Sequence, residues 1–284
     1  MASFRTKVLF RFSKDFESLK KVLKNGIYPN YCEEDLSFDN TQFVIGIPMI
    51  CFCDIPITLL DEQTTRYGLY GIGLSKEWGI NHEVSPVMYI ANDDIIKSMC
   101  YHIQRESDFR KNVSSDEFKQ DLIKALIQGN QIEIIMEQIK AEVEHSVNTK
   151  IVGYFKKYEG EYKNRNIINY LENEWRYIVP DENGTKWMWT KEEYLQWRFP
   201  NGMPDNEQEK TPPKPSPTET LKRHALTFTP EDISYILVKD AEFCKRTIEF
   251  IQKTKTIGGS ELSEESRVSL ITKIITMEQV KEDF

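Results

Sequence analysis

The chain has 284 residues, of which 45 are acidic and 37 basic, for a formal net charge of −8. With 39% hydrophobic and 12% aromatic residues, it is long enough to bury a sizeable core. The acidic balance disfavours general attraction to a nucleic-acid backbone, and the sequence has no apolar run of about 18 residues that could span a membrane. We therefore expect a soluble protein located in the cytoplasm.

The cysteine and histidine residues argue against a disulfide framework and against a metal site. Five cysteines, an odd number without a C-x-x-C motif, are typical of a reducing compartment. The four histidines are scattered without the spacing of metal ligands. We expect no metal.

The first half of the chain predicts strands that are interrupted by one clear helix. The segment "TKVLFRF" alternates as a strand, with Phe10 and Phe12 on one face and Leu9 and Arg11 on the other. The segment "SKDFESLKKVLKNGI" has helical periodicity and ends at Gly26, a residue typical of helix termini. Further strands are predicted at "PMICFCD", "YGIGLS" and "PVMYI". The elements indicate an α+β domain.

The rest of the chain predicts an insertion and a loop within a single domain that spans residues 1–284. Between residues 92 and 147 the apolar residues recur at helical spacing, which predicts a helical insertion. Residues 200–220 are rich in proline and poor in apolar side chains, so they predict a flexible exposed loop with little fixed structure.

The segment "YLENEWRYIVP", residues 170–180, predicts a strand that carries two carboxylates. One face holds the polar side chains, Tyr170, Glu172, Glu174 and Arg176. The predicted core face holds Leu171, Asn173, Trp175, Tyr177 and Val179. From this alternation alone, the polar side is an ordinary solvated face on which the arginine offsets the carboxylates.

Several stretches resemble a known family. The spans "VLFRFSKDFESLKKVLKNGIYPNY", "IPMICFCDIPIT", "YGLYGIGLSKEWGINHEVSPVMYI", "ENEWRYIVP" and "MEQVKEDF" look like the AbiGi family of abortive phage-infection proteins, whose members are described as antitoxins. More distantly, the order of motifs resembles the mono-ADP-ribosyltransferase fold of NAD-using toxins. The resemblance implies a role in phage defence and an ADP-ribosyltransferase-like mixed or antiparallel β core with flanking helices.

The resemblance to the mono-ADP-ribosyltransferase fold assigns roles to residues in the first and the last of its motifs. That fold carries an Arg or His on an early strand and a Glu, often in Glu-x-Glu, on a late strand. Arg11 in "FRFS" matches the early position and, with Ser13, is the implied NAD-binding element. Glu174 matches the late position, and Glu172 precedes it by two residues.

The middle position of the motif order departs from the pattern. The segment "CFCD" stands where such enzymes often have Ser-x-Ser, so Cys51 and Cys53 replace the hydroxyl residues. Tyr67 or Tyr70 in "RYGLYG" could supply an aromatic cofactor contact instead, although an aromatic beside glycine turns is more often a core residue.

The implied reaction would use these residue types in defined ways. Cleavage of the nicotinamide glycosidic bond passes through an oxocarbenium-like ribose, which a fixed carboxylate such as Glu174 would stabilise. Arg11 could bind a diphosphate or ribose oxygen with its planar donors, or it could form an ordinary ion pair. Glu172 could orient or deprotonate the accepting group of a target, or it could simply be solvated.

Two functions of different class remain open from the sequence. The first is an effector that transfers ADP-ribose from NAD to a macromolecular target, protein or nucleic acid. The second is a catalytically inactive antitoxin-type protein that binds and restrains a partner toxin. Two features distinguish the second function from the first: the cysteines at the middle position, and the acidic balance, which suits a basic protein partner at least as well as a nucleic-acid substrate.

Overall fold

The described part of the chain is a mixed α/β fold built on one large sheet. A computed structural model describes residues 6–101, 120, 150–162, 165–182, 184–203 and 212–283. In these ranges, an eight-stranded sheet with mainly antiparallel pairing is flanked by helices. Among the same residues, no helix is both long enough and apolar enough to cross a membrane.

The bounds of the elements are as follows. The strands are β1 Val8–Ser13, β2 Asn30–Asp35, β3 Val44–Cys53, β4 Tyr70–Ser75, β5 Ser85–Pro86, β6 Met88–Ile90, β7 Phe155–Lys157, β8 Glu159–Tyr162, β9 Arg165–Ile168, β10 Glu174–Ile178, β11 Ile233–Val238, β12 Thr256–Ile257, β13 Ser260–Glu261 and β14 Ile274–Thr276. The α-helices are α1 Phe16–Asn25, α2 Asp61–Tyr67, α3 Lys76–Asn81, α4 Lys191–Arg198, α5 Glu219–Lys222, α6 Ala241–Lys253, α7 Glu264–Ile271 and α8 Met277–Asp283. Short 3-10 helices span Ile57–Leu59 and Asn169–Glu172.

Two predicted segments lie partly outside the described residues. Residues 93–101 and 150–152 are helical, but most of the predicted insertion at 92–147 is outside the description, so it stays a prediction. In the predicted loop at 200–220, the described residues 212–218 form neither helix nor strand. They nevertheless have fixed contacts, because Asn30 Nδ2 donates to Pro215 O at 2.9 Å and Lys214 Nζ donates to Tyr31 O at 2.9 Å. This part of the loop therefore differs from the expectation of little fixed structure.

The first helix forms for local reasons that the sequence reveals. Asp15 caps α1, since its side chain accepts a hydrogen bond from the Ser18 backbone N–H at 2.8 Å. Leu19 and Leu23 are fully buried against the sheet. The helix ends at Gly26, whose φ of 81° lies in the region that glycine tolerates best.

The large sheet contains a split beside its central strand. The strand order is β14-β11-β4-β1-β3-β10-β5, and β2 also pairs with β3. Met49 of β3 pairs with Asn30 of β2 on one side and with β10 on the other. Cys53 of β3 pairs with Phe10 of β1 on one side and with β10 on the other. β1 and β2 therefore share the edge of β3 that faces away from β10. Among the described strand pairs, residues 50–52 of β3 have no paired residue on this shared edge, so β1 and β2 diverge there.

The two faces of the sheet have different cores. Helices α1, α3 and α6 cover one face, where Trp175 and Tyr177 of β10 pack against the main apolar cluster. The alternate residues of β10, including Arg176, project to the other face with Cys51 and Cys53 of β3. The cavity described below lies on that second face.

The late strand is shorter than the sequence predicts. β10 begins at Glu174, because the preceding residues Asn169–Glu172 form a 3-10 helix and Asn173 has a φ of 41°. This left-handed residue breaks the alternation on which the two predicted faces depend. As a result Leu171, which we placed on the core face, is 53% exposed.

Candidate functional site

The split between β1 and β2 opens into a cavity of about 1260 Å³. Residues of β1, β2, β3, β7 and β10 form its walls. Ligand pockets commonly span roughly 300–1,000 Å³, so the cavity is large enough for a nucleotide-sized molecule. Four of the six predicted site residues line it: Arg11, Tyr67, Glu172 and Glu174.

The other two predicted site residues, Ser13 and Tyr70, are not among the residues that line this cavity. Tyr70 is buried in the main apolar cluster, with its ring 5.1 Å from that of Phe243 and 6.0 Å from that of Phe16. Ser13 is the β1 residue paired with Tyr70 and is itself buried. The structure therefore does not bring these two residues to the cavity, because they lie at the strand ends that helices α1 and α6 cover, and their role in NAD binding stays a prediction.

A group of six charged side chains, which we call the buried charge cluster, lies at the cavity, and five of the six, all except Arg66, line its wall. It consists of Glu34, Arg66, Lys156, Glu172, Glu174 and Arg176. The exposed fractions of these side chains range from 1% for Arg176 to 15% for Lys156. The cluster pairs three carboxylates with three cations, so its formal charge is zero.

Glu174 is held by two of these cations. Arg176 Nε donates to Glu174 Oε1 at 2.8 Å, and Arg176 Nη2 donates to Oε2 at 3.2 Å. Lys156 Nζ donates to Oε2 at 2.7 Å. The guanidinium also donates to Glu34 and, from Nη1, to the carbonyl oxygen of Gly153 at 2.8 Å. Both carboxylate oxygens of Glu174 are therefore engaged.

Glu172 is bound in a similar way by residues from other elements. Its Oε1 accepts from Arg66 Nη1 at 2.8 Å and from the Tyr67 hydroxyl at 3.2 Å. Its Oε2 accepts from Lys156 Nζ at 2.7 Å. Lys156 thus bridges Glu172 and Glu174, which is why the pair lies together although Asn173 interrupts the strand.

The electrostatics of the cluster favour the ionised forms of its central pair. Burial alone would raise the pKa of Glu174, but the charges of Arg176 and Lys156 outweigh it and hold the pKa well below its ordinary value. Burial acts to lower the pKa of Arg176, but the charges of Glu174 and Glu34 raise it well above the usual range. For Glu34, burial prevails and raises the pKa.

The polar face of the late strand is therefore buried, which corrects the interpretation of a solvated face. Arg176 is 1% exposed and Glu174 is 6% exposed. A lone charge at such a position would be very unfavourable, and it is tolerated here because each charge has a partner of opposite sign. Glu174 and Arg176 pair with each other within β10, and the other partners come from β2, β7 and α2.

Arg11 stands apart from the buried charge cluster. It projects into the cavity from β1, and its Nε is buried without a hydrogen-bond partner among the described residues. A buried donor without a partner is uncommon. Within the same ranges, no group of three or more potential metal ligands is arranged to hold an ion.

Comparison with known proteins identifies the family. A sequence profile described as "Putative abortive phage resistance protein AbiGi, antitoxin" matches residues 25–239. The chain belongs to the AbiGi family. It is also 29% identical over 272 residues to the abortive phage resistance protein AbiGi of Lactococcus lactis subsp. cremoris, a match that covers 90% of this chain and 98% of that protein. No solved structure matches the chain.

The family match confirms the resemblance to AbiGi proteins and links the chain to abortive phage resistance. The match spans β2, β3, β7 and β10, and so includes most of the cavity wall, but it leaves out Arg11 of β1. The roles of the individual residues in the cavity remain predictions.

Sequence reasoning missed several residues at the cavity. Lys156, Arg66 and Glu34 complete the buried charge cluster, but nothing in their local sequence distinguishes them from surface charges. A second group, Cys32 and Lys214, lies near Arg11. The only available sequence signal was the alternation of β2, which places Cys32 and Glu34 on one face.

Proposed function

We propose that this protein acts in abortive phage resistance as an antitoxin-type member of a pair, binding and restraining a partner toxin. In this proposal, the buried charge cluster is structural and the chain does not transfer ADP-ribose. The family description supports the antitoxin role. The observation that carries the proposal is the engagement of Glu174 by Arg176 and Lys156.

An oxocarbenium ion beside Glu174 would experience the charge of that carboxylate together with the charges of Arg176 and Lys156. A carboxylate stabilises that ion through its negative charge and through a hydrogen bond with the ribose. Here three donors occupy Glu174, leaving about one of the roughly four acceptor positions of a carboxylate. The charges of Arg176 and Lys156 also lie within hydrogen-bond distance of Glu174 and oppose a further positive charge beside it. This arrangement suits a structural support better than a catalytic base or stabiliser.

The overall charge fits a protein partner of opposite sign. A formal charge of −8 attracts a basic partner and speeds its association. We therefore expect a toxin with a basic surface, and we expect complex formation to weaken as salt increases, because salt screens exposed charges.

A second candidate function is mono-ADP-ribosyl transfer from NAD, and specific observations favour it. The sheet is split beside β3, the split opens into a nucleotide-sized cavity, and Arg11 presents an unpartnered buried donor there. An ADP-ribosyltransferase-like fold would place its substrate in such a cleft. NAD would be the substrate, with Arg11 on a phosphate or ribose oxygen and Glu174 near the reacting carbon.

One experiment separates the two functions. Purified protein is incubated with radiolabelled NAD, with and without an extract of host cells, and the loss of NAD and the label on protein and nucleic acid are measured. The antitoxin proposal predicts no more turnover for the wild type than for the Glu174→Gln variant. Turnover or labelling that the wild type supports and the Glu174→Gln variant loses, with both folded, would refute the proposal and establish the transferase.

A further inference from the structure

Strand β2 has one edge that pairs with β3 and one outer edge that faces away from it. In an antiparallel pair, the backbone groups of successive residues point alternately toward the partner strand and away from it. Gly46 of β3 exchanges both of its backbone hydrogen bonds with Met188, on the side of β3 opposite β2. Its register partner Glu33 therefore directs its own backbone N–H and C=O to the outer edge of β2. The same alternation places the backbone groups of Tyr31 and Asp35 on this edge.

Lysine side chains occupy the two ends of the outer edge. At one end, Lys214 Nζ donates to the carbonyl oxygen of Tyr31 at 2.9 Å. At the other end, Lys157 Nζ donates to the carbonyl oxygen of Ser37, just beyond β2, at 2.6 Å. The chain thus supplies its own donors to the outermost carbonyl groups, as a neighbouring strand would.

The middle of the outer edge is open. The backbone N–H and C=O groups of Glu33 and Asp35 form no hydrogen bond with any residue that the structure describes. Both residues are exposed, and both line the cavity of about 1260 Å³, so there is room for a further segment beside them. A strand edge with unpaired N–H and C=O groups is a template for pairing with another strand.

The charge around the open edge suits a basic segment. The buried charge cluster has a formal charge of zero, and five carboxylates and three cations line the rest of the cavity: Glu33, Asp35, Asp93, Glu159, Glu161, Arg11, Lys157 and Lys214. The excess charge is therefore negative. A neighbouring strand with lysine or arginine side chains would gain cross-strand ion pairs with the carboxylates of β2.

We propose that the open edge of β2 is the docking site of the partner toxin, which adds an extended basic segment as a strand beside Glu33 and Asp35. This inference rests on the proposed antitoxin function. The backbone of the added segment donates to the two free carbonyl oxygens and accepts from the two free N–H groups. A second copy of this chain is a poorer occupant, because it would place carboxylates directly opposite carboxylates, which is destabilising.

Hydrogen exchange in the free, full-length chain tests the edge itself. The amides of Cys32 and Glu34 point toward β3, whereas those of Glu33 and Asp35 point away from it. We expect the second pair to exchange at least about 100-fold faster, measured by residue-resolved NMR, because only the first pair requires opening of the β2–β3 ladder. Protection of Glu33 equal to that of Cys32 would overturn the proposal, since another part of the chain would already cover the edge.

Three substitutions at Glu33 test the docking. Glu33→Pro removes the outward N–H and preserves the bonds to β3, because proline is tolerated on an edge strand where its missing N–H faces away from the sheet. Glu33→Thr keeps that N–H and removes the same carboxylate, and Glu33→Lys reverses the charge. The matched charge control is Glu249→Lys, at an exposed position on α6. The urea-denaturation midpoint of each variant establishes that it is folded.

The variants are compared in host cells depleted of the wild-type chain, and the amount of each variant that restores growth is measured by immunoblotting. Glu33→Thr should require several-fold more protein than the wild type, and Glu33→Lys about tenfold more, because each weakens the attraction to a basic segment. Glu33→Pro should not restore growth, because it blocks the added strand. Glu249→Lys should match the wild type.

The outcomes separate this inference from the function on which it rests. Normal growth after depletion would overturn both. Growth arrest that Glu33→Pro and Glu33→Lys relieve at the wild-type amount would overturn the docking site and leave the antitoxin role standing. Relief by Glu33→Lys alone at that amount would overturn the basic character of the segment. A dimer in sedimentation velocity that Glu33→Pro dissociates would also overturn the proposal, because a second copy of the chain would then be the occupant.

Discussion

Removal of Arg176 tests the structural role assigned to the buried charge cluster. The guanidinium donates to Glu174, to Glu34 and to two backbone carbonyl oxygens, and it is 1% exposed. Arg176→Met would leave two buried carboxylates without their main partner. Loss of one member of a buried pair costs about 3–5 kcal/mol, so we expect a decrease of this size in the free energy of unfolding.

The assay is urea denaturation monitored by far-UV circular dichroism, and the dependence of the free energy of unfolding on urea concentration is compared between variants. The matched control is Lys222→Met, which breaks the exposed ion pair with Glu219 and should leave the denaturation midpoint unchanged. A loss of less than about 1 kcal/mol in Arg176→Met, with an unchanged slope, would refute the reasoning, because it would mean that water or other groups satisfy the two carboxylates.

Two further predictions concern the pKa of Glu174 and the different positions of Tyr67 and Tyr70. Since the pKa of Glu174 is held below its ordinary value of 4.5, its ion pairs stabilise the fold fully above that pH and progressively less as the pH falls below it. The free energy of unfolding, measured from pH 7 to pH 3.5, should therefore fall more steeply below pH 4.5 in the wild type than in Glu174→Gln. Glu34, whose raised pKa has the opposite effect on the pH dependence of stability, is present in both proteins. Tyr70→Ala empties a core position and should lower the free energy of unfolding, measured by thermal unfolding, by about 3 kcal/mol. Tyr67→Phe removes one of the donors to Glu172 and should lower it by less than about 1.5 kcal/mol. Equal losses for the two tyrosine variants, or parallel pH profiles for the wild type and Glu174→Gln, would contradict these assignments.

The elements that the sequence predicts well are those specified by local pattern. The β1 alternation and the helical periodicity of α1 with its stop at Gly26 depend on neighbouring residues, and the structure has both. Tyr67 and Tyr70 show the limit of this reasoning. They are three residues apart, but Tyr67 ends α2 and lines the cavity, while Tyr70 begins β4 and enters the core.

The buried charge cluster could not be predicted from local pattern. Alternation groups Glu174 with Arg176 on one face, but it does not say whether that face meets water or protein. The answer depends on Glu34 of β2 and Lys156 of β7, which tertiary structure brings to β10. The break at Asn173 was equally hidden, because a left-handed residue within an apparent strand has no periodic signature.

The most direct test of the central proposal is a depletion experiment in the native host. The chain is placed under a repressible promoter, its expression is stopped, and growth is followed with complementation by the wild type or by Glu174→Gln at matched protein levels. The proposal predicts that depletion arrests growth by releasing a toxin and that both forms restore it equally. Normal growth after depletion, or growth arrest caused by the wild-type chain alone and abolished by Glu174→Gln, would contradict it.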